Sequence, residues 1–198
     1  MSNVWFAIIW RPLSITFTPI DIGGGDRGEF TRFMTRDSFP FHQNTNPTDQ
    51  QVAATIDSGR YRTRAPLWID EREHGRIGVA VLEGLTGSTL TFDLRLVSRY
   101  RRRGLGAPIL SALTTHVFTT YPAANRLEGQ TREDNVGMRK TFVRSGFVKE
   151  SHHREGWPVA GAEPLASVGY AILRRDWVSG TTTEVVWNDA EGTAGTSR

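Results

Sequence analysis

The 198-residue chain contains no cysteine. Disulfide staples, a thiolate nucleophile and thiolate metal ligation are therefore excluded, and its chemistry must run on oxygen and nitrogen groups. Long apolar runs are missing too. The first, Val4 to Trp10, is far short of the ~20 residues that span a bilayer, and it lacks the basic leader and small-residue cleavage site of a secretory signal. It reads as an N-terminal strand of a cytoplasmic protein with no membrane partner. Charge of one sign is scarce: the formal net charge is +3, a small excess that makes no nucleic-acid-binding tail. Neither nucleotide fingerprint occurs, since no Gly-x-Gly-x-x-Gly follows a first strand and no Gly-Lys-Ser/Thr marks a P-loop. No internal repeat is visible.

What is present suffices for one enzyme-sized domain. Apolar residues make up 38% of the chain, with six Trp and ten Phe, enough for a core. The domain is expected over residues 1–177. From 178 to 198 the composition turns to Gly, Thr, Ser and Asp, which reads as a mostly disordered tail, although Thr183 to Trp187 has the pattern of an edge strand.

Within the domain, Ser14 to Ile20 alternates as a strand, and Asp26 to Arg36 reads as a helix with Phe30, Phe33 and Met34 on one face. Asn46-Pro47-Thr48 opens a second helix through Ile56, after the aromatic loop Ser38 to His42. Leu67 to Asp70 and Arg76 to Leu82 form a hairpin that continues into a strand over Leu90 to Val97. Leu105, Ile109, Leu110, Leu113 and Val117 recur at helical spacing between Gly104 and Tyr121, a core stripe in which Pro108 is tolerated in the first turn. A strand at Arg126 to Gln130, a helix led by Asn135 and closed by Gly146, and strands at Phe147 to His153 and Ser167 to Arg174 complete the mixed α/β pattern.

The richest stretch is Arg101-Arg102-Arg103-Gly104-Leu105-Gly106, set at a strand-to-helix junction. Two glycines let the backbone approach an anion, and the first N–H groups of the following helix lack intrahelical acceptors and carry the positive dipole end. Three arginines add charge where phosphates would lie.

That loop, its helix, the Arg126 to Gln130 strand and the Asn135-led helix closed by Gly146-Phe147 together resemble the core of the GNAT N-acetyltransferase superfamily. Asn125 to Glu128, Gly146 to Glu150 and Gly169 to Trp177 further resemble its RimJ/RimL-type branch, which includes enzymes acting on ribosomal-protein N-termini. The resemblance covers Ser14 to Trp177. It implies an α/β (α+β) acyl-CoA N-acyltransferase fold: a mixed, mostly antiparallel sheet of about seven strands, splayed between the fourth and fifth, flanked by about four helices. It also implies acetyl-CoA as cofactor, no metal, and a primary amine as acceptor, on a protein N-terminus or a small molecule. The protein is expected as a monomer or homodimer.

The resemblance assigns residues as well. The backbone of Arg102, Arg103, Gly104, Leu105, Gly106 and Ala107 would hold the pyrophosphate, with Arg101 and Arg103 as side-chain helpers. Main-chain groups of Leu96, Val97 and Ser98 would pair with the pantetheine amides. Glu128 is the first choice of base and Asp93 the second, against readings of Glu128 as a structural carboxylate and of Asp93 as turned to the far face. Asn135 would bond CoA or the adjacent strand, or simply cap its helix. Phe142 stands where the superfamily often places a Tyr that protonates the thiolate, and Met138 where the branch often places Ser, so this chain departs from the pattern at the acid. His42, His116, His152 and His153 read as packing or surface residues. The acceptor wall would run from Phe30 to Tyr61, with the loop from Arg154 to Pro164.

Proton affinity separates the acceptors. An α-amine, with pKa ~7.7–8.0, is appreciably neutral near pH 7, whereas a lysine at ~10.4 requires about three units of deprotonation, on the order of 4 kcal/mol. Two other readings stay open at this level. One is a basic RNA- or ribosome-binding module using Arg99 to Arg103 on phosphates; it is disfavoured because those arginines precede a glycine pair and no aromatic RNA-binding signature occurs. The other is a CoA-binding protein of the same fold without catalysis.

Overall fold

The computed structural model describes residues 14–186. The strand expected at Val4 to Trp10 and the segment beyond residue 186 lie outside the described residues. Strands β1 (Ile15–Pro19), β2 (Ala65–Glu71), β3 (Gly75–Glu83) and β4 (Thr89–Leu96) form an antiparallel meander. β5 (Arg126–Arg132) lies parallel to β4, while β6 (Val148–Trp157) and β7 (Leu165–Leu173) follow antiparallel, giving one sheet in the order β1-β2-β3-β4-β5-β7-β6.

Each face of the sheet carries its own core, as period-two alternation requires of strands covered on both sides. Trp68, Val79 and Val81 point to one face and pack with Phe30 and Met34 of α1 (Arg27–Thr35) and Val52 and Ile56 of α2 (Asp49–Asp57). Leu67, Ile69, Leu90 and Leu127 point to the other, against α3 (Gly106–Thr120) and α4 (Val136–Arg144). The helical stripe expected on α3 is that core: Ile109, Leu110, Leu113 and Val117 are fully buried.

Local chemistry sets the helix starts. Thr48 and Gln51 form a reciprocal capping box at α2, Thr48 accepting the Gln51 N–H at 3.2 Å and Gln51 accepting the Thr48 N–H at 2.9 Å. Asn135 caps α4 by accepting the Met138 N–H at 3.2 Å. Two features depart from the sequence expectation. A short helix, α5 (Arg174–Ser179), follows β7 directly. Its buried Asp176 accepts from the Thr183 hydroxyl at 2.7 Å and N–H at 3.2 Å, so Thr183 to Val186 leaves the helix as an irregular segment and not as an edge strand. None of the described helices is long and apolar enough to cross a membrane.

β4 and β5 pair over only three residues, Thr89 with Arg126, Leu90 with Leu127 and Thr91 with Glu128. Beyond these they part, and the packing accounts for it. On the α3–α4 face Phe142 lies flat on Tyr170, with ring centroids 4.7 Å apart, and touches Phe92 and Phe147. Their tips press on Gly129, the residue after the last pair; a β-carbon there would lie 2.7 Å from ring carbons of both Phe142 and Phe92. Replacing Gly129 by Ala is expected to destabilise the fold by roughly 1–3 kcal/mol through overpacking, read as a lowered midpoint in chemical denaturation.

Candidate active site

At the C-terminal end of β4 the chain makes a single 3-10 turn over Ser98–Tyr100 and enters the arginine-glycine loop. Arg102 and Gly104 both take positive φ, 57° and 78°. That geometry is free for glycine but costs an arginine about 1–2 kcal/mol. No side chain caps α3, and no backbone acceptor among the described residues takes the N–H groups of Arg102 to Leu105. Arg102 and Arg103 are exposed and form no ion pair among the described residues. Unclaimed amides at a helix start, beside two unclaimed guanidinium groups, suit a diphosphate.

The gap between β4 and β5 offers main-chain groups as well. The Val97 N–H bonds the Ile77 carbonyl at 3.0 Å. By antiparallel alternation the amides of Arg95 and Asp93 then face β3, while Leu94 and Leu96, beyond the last β4–β5 pair, turn their amides toward the gap.

A cleft of about 640 Å³ opens under α1 and α2 and runs through the parted strands, past Leu94 and Gly129, to Asn135 and Met138 at the start of α4. Its floor is the row Val79, Val81 and Glu83 on β3, Thr91, Asp93 and Arg95 on β4, and Glu128 and Gln130 on β5. Asp93 bonds His42 Nε2 at 2.8 Å and Arg95 at 3.0 Å. Burial works against its charge, but the hydrogen bond from His42 and the positive charge of Arg95 outweigh it, holding the carboxyl far below the usual carboxylate range. Glu83 pairs with Arg64 at 2.8 Å, and Glu128 accepts from Arg126 at 3.2 Å and Gln130 at 3.5 Å. Tyr61 closes one side, its hydroxyl pKa pushed up chiefly by burial, so it remains a neutral donor near pH 7.

A family model described as the acetyltransferase (GNAT) domain matches residues 16–148. The chain belongs to the GNAT acetyltransferase family. Solved structures of the same fold include a spermidine N-acetyltransferase from Vibrio cholerae in complex with CoA and spermine, 12% identical with a TM-score of 0.69, over 83% of this chain and 98% of that one. A GNAT-family acetyltransferase from Bacillus anthracis is 14% identical with a TM-score of 0.64, over 83% and 98%. A protein described as a probable acetyltransferase is 15% identical with a TM-score of 0.64, over 82% and 94%. No curated protein matches in sequence. As a GNAT acetyltransferase the protein draws its acyl group from acetyl-CoA.

Against the GNAT expectations, the geometry redistributes several residues. Arg101 does not reach outward. Its side chain folds back, donating to the Leu96 carbonyl at 2.8 Å and lying 3.6 Å from Asp37, so it braces the strand end, whereas Arg102 and Arg103 stay exposed. The Val97 amide is taken by β3 and the Ser98 amide by the Asp37 carboxylate, which leaves Leu96 of the three expected pantetheine partners, through its N–H. Leu105 is buried in the core, while Gly104, Gly106 and Ala107 stay at the loop and helix mouth. Asn135 spends both ends of its amide, on the Met138 N–H and on Thr131 Oγ1 at 3.0 Å, so it caps and clamps. Phe142 is fully buried and belongs to the aromatic core, not to a cofactor surface.

Asp93 and Glu128 share one face, beside the point where the strands part, so the far-face alternative for Asp93 is overturned. Its depressed pKa makes Asp93 a poor proton acceptor all the same. Two contributors escaped the sequence reading. His42, read as bland, reaches Asp93 from a loop 51 residues away in sequence, and Asp37 reaches Ser98 across 61; neither separation leaves a local signal.

An unfolded Asp titrates near ~3.9, and Asp93 lies below that in the fold. Its ion pairs therefore stabilise the protein fully above that pH, and the contribution is lost as pH falls toward the folded value. Unfolding free energy measured from pH 7 to pH 2 is expected to drop on the acid side, with a shallower drop in Asp93→Asn.

Proposed function

We propose that this enzyme acetylates a compound with a single primary amine, an α-amine at a protein N-terminus or on a small molecule, by direct attack on the thioester. The observation that carries this reading is the charge balance of the cleft. Arg60, Arg64 and Arg95 line it together with Glu83, Asp93 and Glu128, and each of the three carboxylates is already engaged by an arginine. A polyamine brings several ammonium groups and requires carboxylates free to meet them. An α-amine brings one group that is partly neutral at pH 7. This supports the α-amine preference of the RimJ/RimL-type branch over a polyamine preference, although spermidine N-acetyltransferases share the fold.

In the reaction the neutral amine nitrogen attacks the thioester carbonyl carbon. The C–N bond forms, the C–S bond breaks, and CoA leaves as a thiolate. The Leu94 and Leu96 amides, turned toward the gap, would polarise the carbonyl oxygen. The surplus amine proton passes through water to Glu128, which stands at the last β4–β5 pair and lines the cleft. Phe142 has no proton to give, so the thiolate takes its proton from water; with a thiol pKa of ~8.5 it is a tolerable leaving group near neutrality.

Acetyl-CoA is expected to raise the melting temperature, as any ligand of the native state does. Thiol release should then appear with α-amine peptides or amino-acid amides, weakly with spermidine, and rise with pH to a plateau near ~8, not above about 10. Spermidine as the best acceptor would overturn the reading. Glu128→Gln should lower kcat by roughly 10²-fold with unchanged acetyl-CoA affinity, measured by steady-state kinetics and calorimetry; intact turnover would remove Glu128 from the mechanism.

A further inference from the structure

The segment from Asp37 to His42, between α1 and α2, lies across the parted strands and is tied to both. On the β4 side, the Asp37 carboxylate accepts the Ser98 N–H and faces Arg101 at 3.6 Å. Phe39 is buried between two guanidinium groups, Arg95 at 5.0 Å and Arg101 at 5.2 Å from its ring centre, and His42 bonds Asp93. On the β5 side, Arg132 donates to the Pro40 carbonyl at 3.3 Å and sits 5.1 Å over the Phe41 ring. Phe41 and His42 in turn line the acceptor cleft.

We infer that Asp37 is a positioning residue for the acceptor: by holding the Ser98 amide it pins this segment to the end of the cofactor strand, and so sets the wall against which the amine approaches. This rests on the acetyl-transfer reading above. The Ser98 amide then serves the acceptor wall and not the cofactor. The bond is charge-assisted and therefore about twice as strong as a neutral one. Among the described hydrogen bonds it joins the wall directly to the main chain at the end of the cofactor strand, where a small displacement would misplace the amine relative to the thioester.

The geometry allows a test that leaves the side chain of Asp37 untouched. Ser98 opens a 3-10 turn, and Val97 before it is extended, with ψ 138°. Proline fits both requirements, since it is tolerated at a first helical position after an extended residue; it replaces the N–H by a ring carbon and removes a hydroxyl that makes no hydrogen bond among the described residues. Ser98→Pro and Asp37→Ala should each raise the acceptor KM roughly tenfold, the scale of one charge-assisted hydrogen bond, with kcat changed less and the acetyl-CoA Kd within about twofold of wild type. Because both remove the same bond, the double variant should be no worse than Asp37→Ala alone. Asp37→Asn, which keeps an accepting oxygen, should recover most of the KM.

Several results would overturn the inference. An unchanged acceptor KM in Ser98→Pro, or a lower melting temperature without any change in KM, would make the bond merely structural. A raised acetyl-CoA Kd in Ser98→Pro would return the amide to the cofactor. If Asp37→Ala does not fold, the comparison of Ser98→Pro with Asp37→Asn decides the matter on the same readouts. Wild-type protein that releases no thiol with any amine would sink the acetyl-transfer reading instead, so the two failures are distinguishable.

Discussion

A cluster of four aromatic rings, two of them pressed against one glycine, governs this structure. Phe92, Phe142, Phe147 and Tyr170 fill the α3–α4 face where β4 and β5 would otherwise continue to pair, and glycine at 129 lets β5 run past the tips of Phe92 and Phe142. The cost of three-residue pairing is a row of main-chain donors and acceptors without strand partners. In an ordinary sheet such a break would be a defect. In the proposed reaction it is the opening through which a thioester meets an amine arriving from the other face.

In the proposed reaction the two faces divide the work. The α3–α4 face supplies rigidity and, at the mouth of α3, the amides and guanidinium groups for a polyanion. The α1–α2 face supplies the acceptor cleft, whose floor is a row of residues on three neighbouring strands in fixed register. Aligning Val81 with Asp93 and Thr91 with Glu128 brings the two carboxylates beside the parting point, yet the environment separates their chemistry. Asp93, between His42 and Arg95, is locked in its charged form. Glu128 shares its arginine with Glu150 and keeps a place on the cleft surface.

Much of this order is legible in the sequence, because it is local. The alternation of β4, the stripe on α3, the Thr48 and Asn135 caps and the glycine-bearing loop are each determined by residues within a few positions of one another. What could not be read there depends on distant partners. The face of Asp93 is decided by pairing with β3, and the fate of the Ser98 amide by a carboxylate on a different element. Arg101 carries the same charge as Arg102 and Arg103, and nothing in the run marks it as the one that folds inward to Leu96. The burial of Phe142 likewise follows from its stacking on Tyr170, 28 positions later by chain numbering.

The paired charges of the acceptor cleft carry a kinetic corollary. Opposite charges that cancel within a few ångströms project almost no field beyond a Debye length, about 8 Å at physiological ionic strength, so the amine is not drawn in from a distance and its capture should be nearly indifferent to added salt. The polyanionic acyl donor, by contrast, approaches two exposed guanidinium groups, and its association should slow as ionic strength rises. The two substrates thus reach the same reaction point under different rules, one steered from solution and the other sorted only on contact.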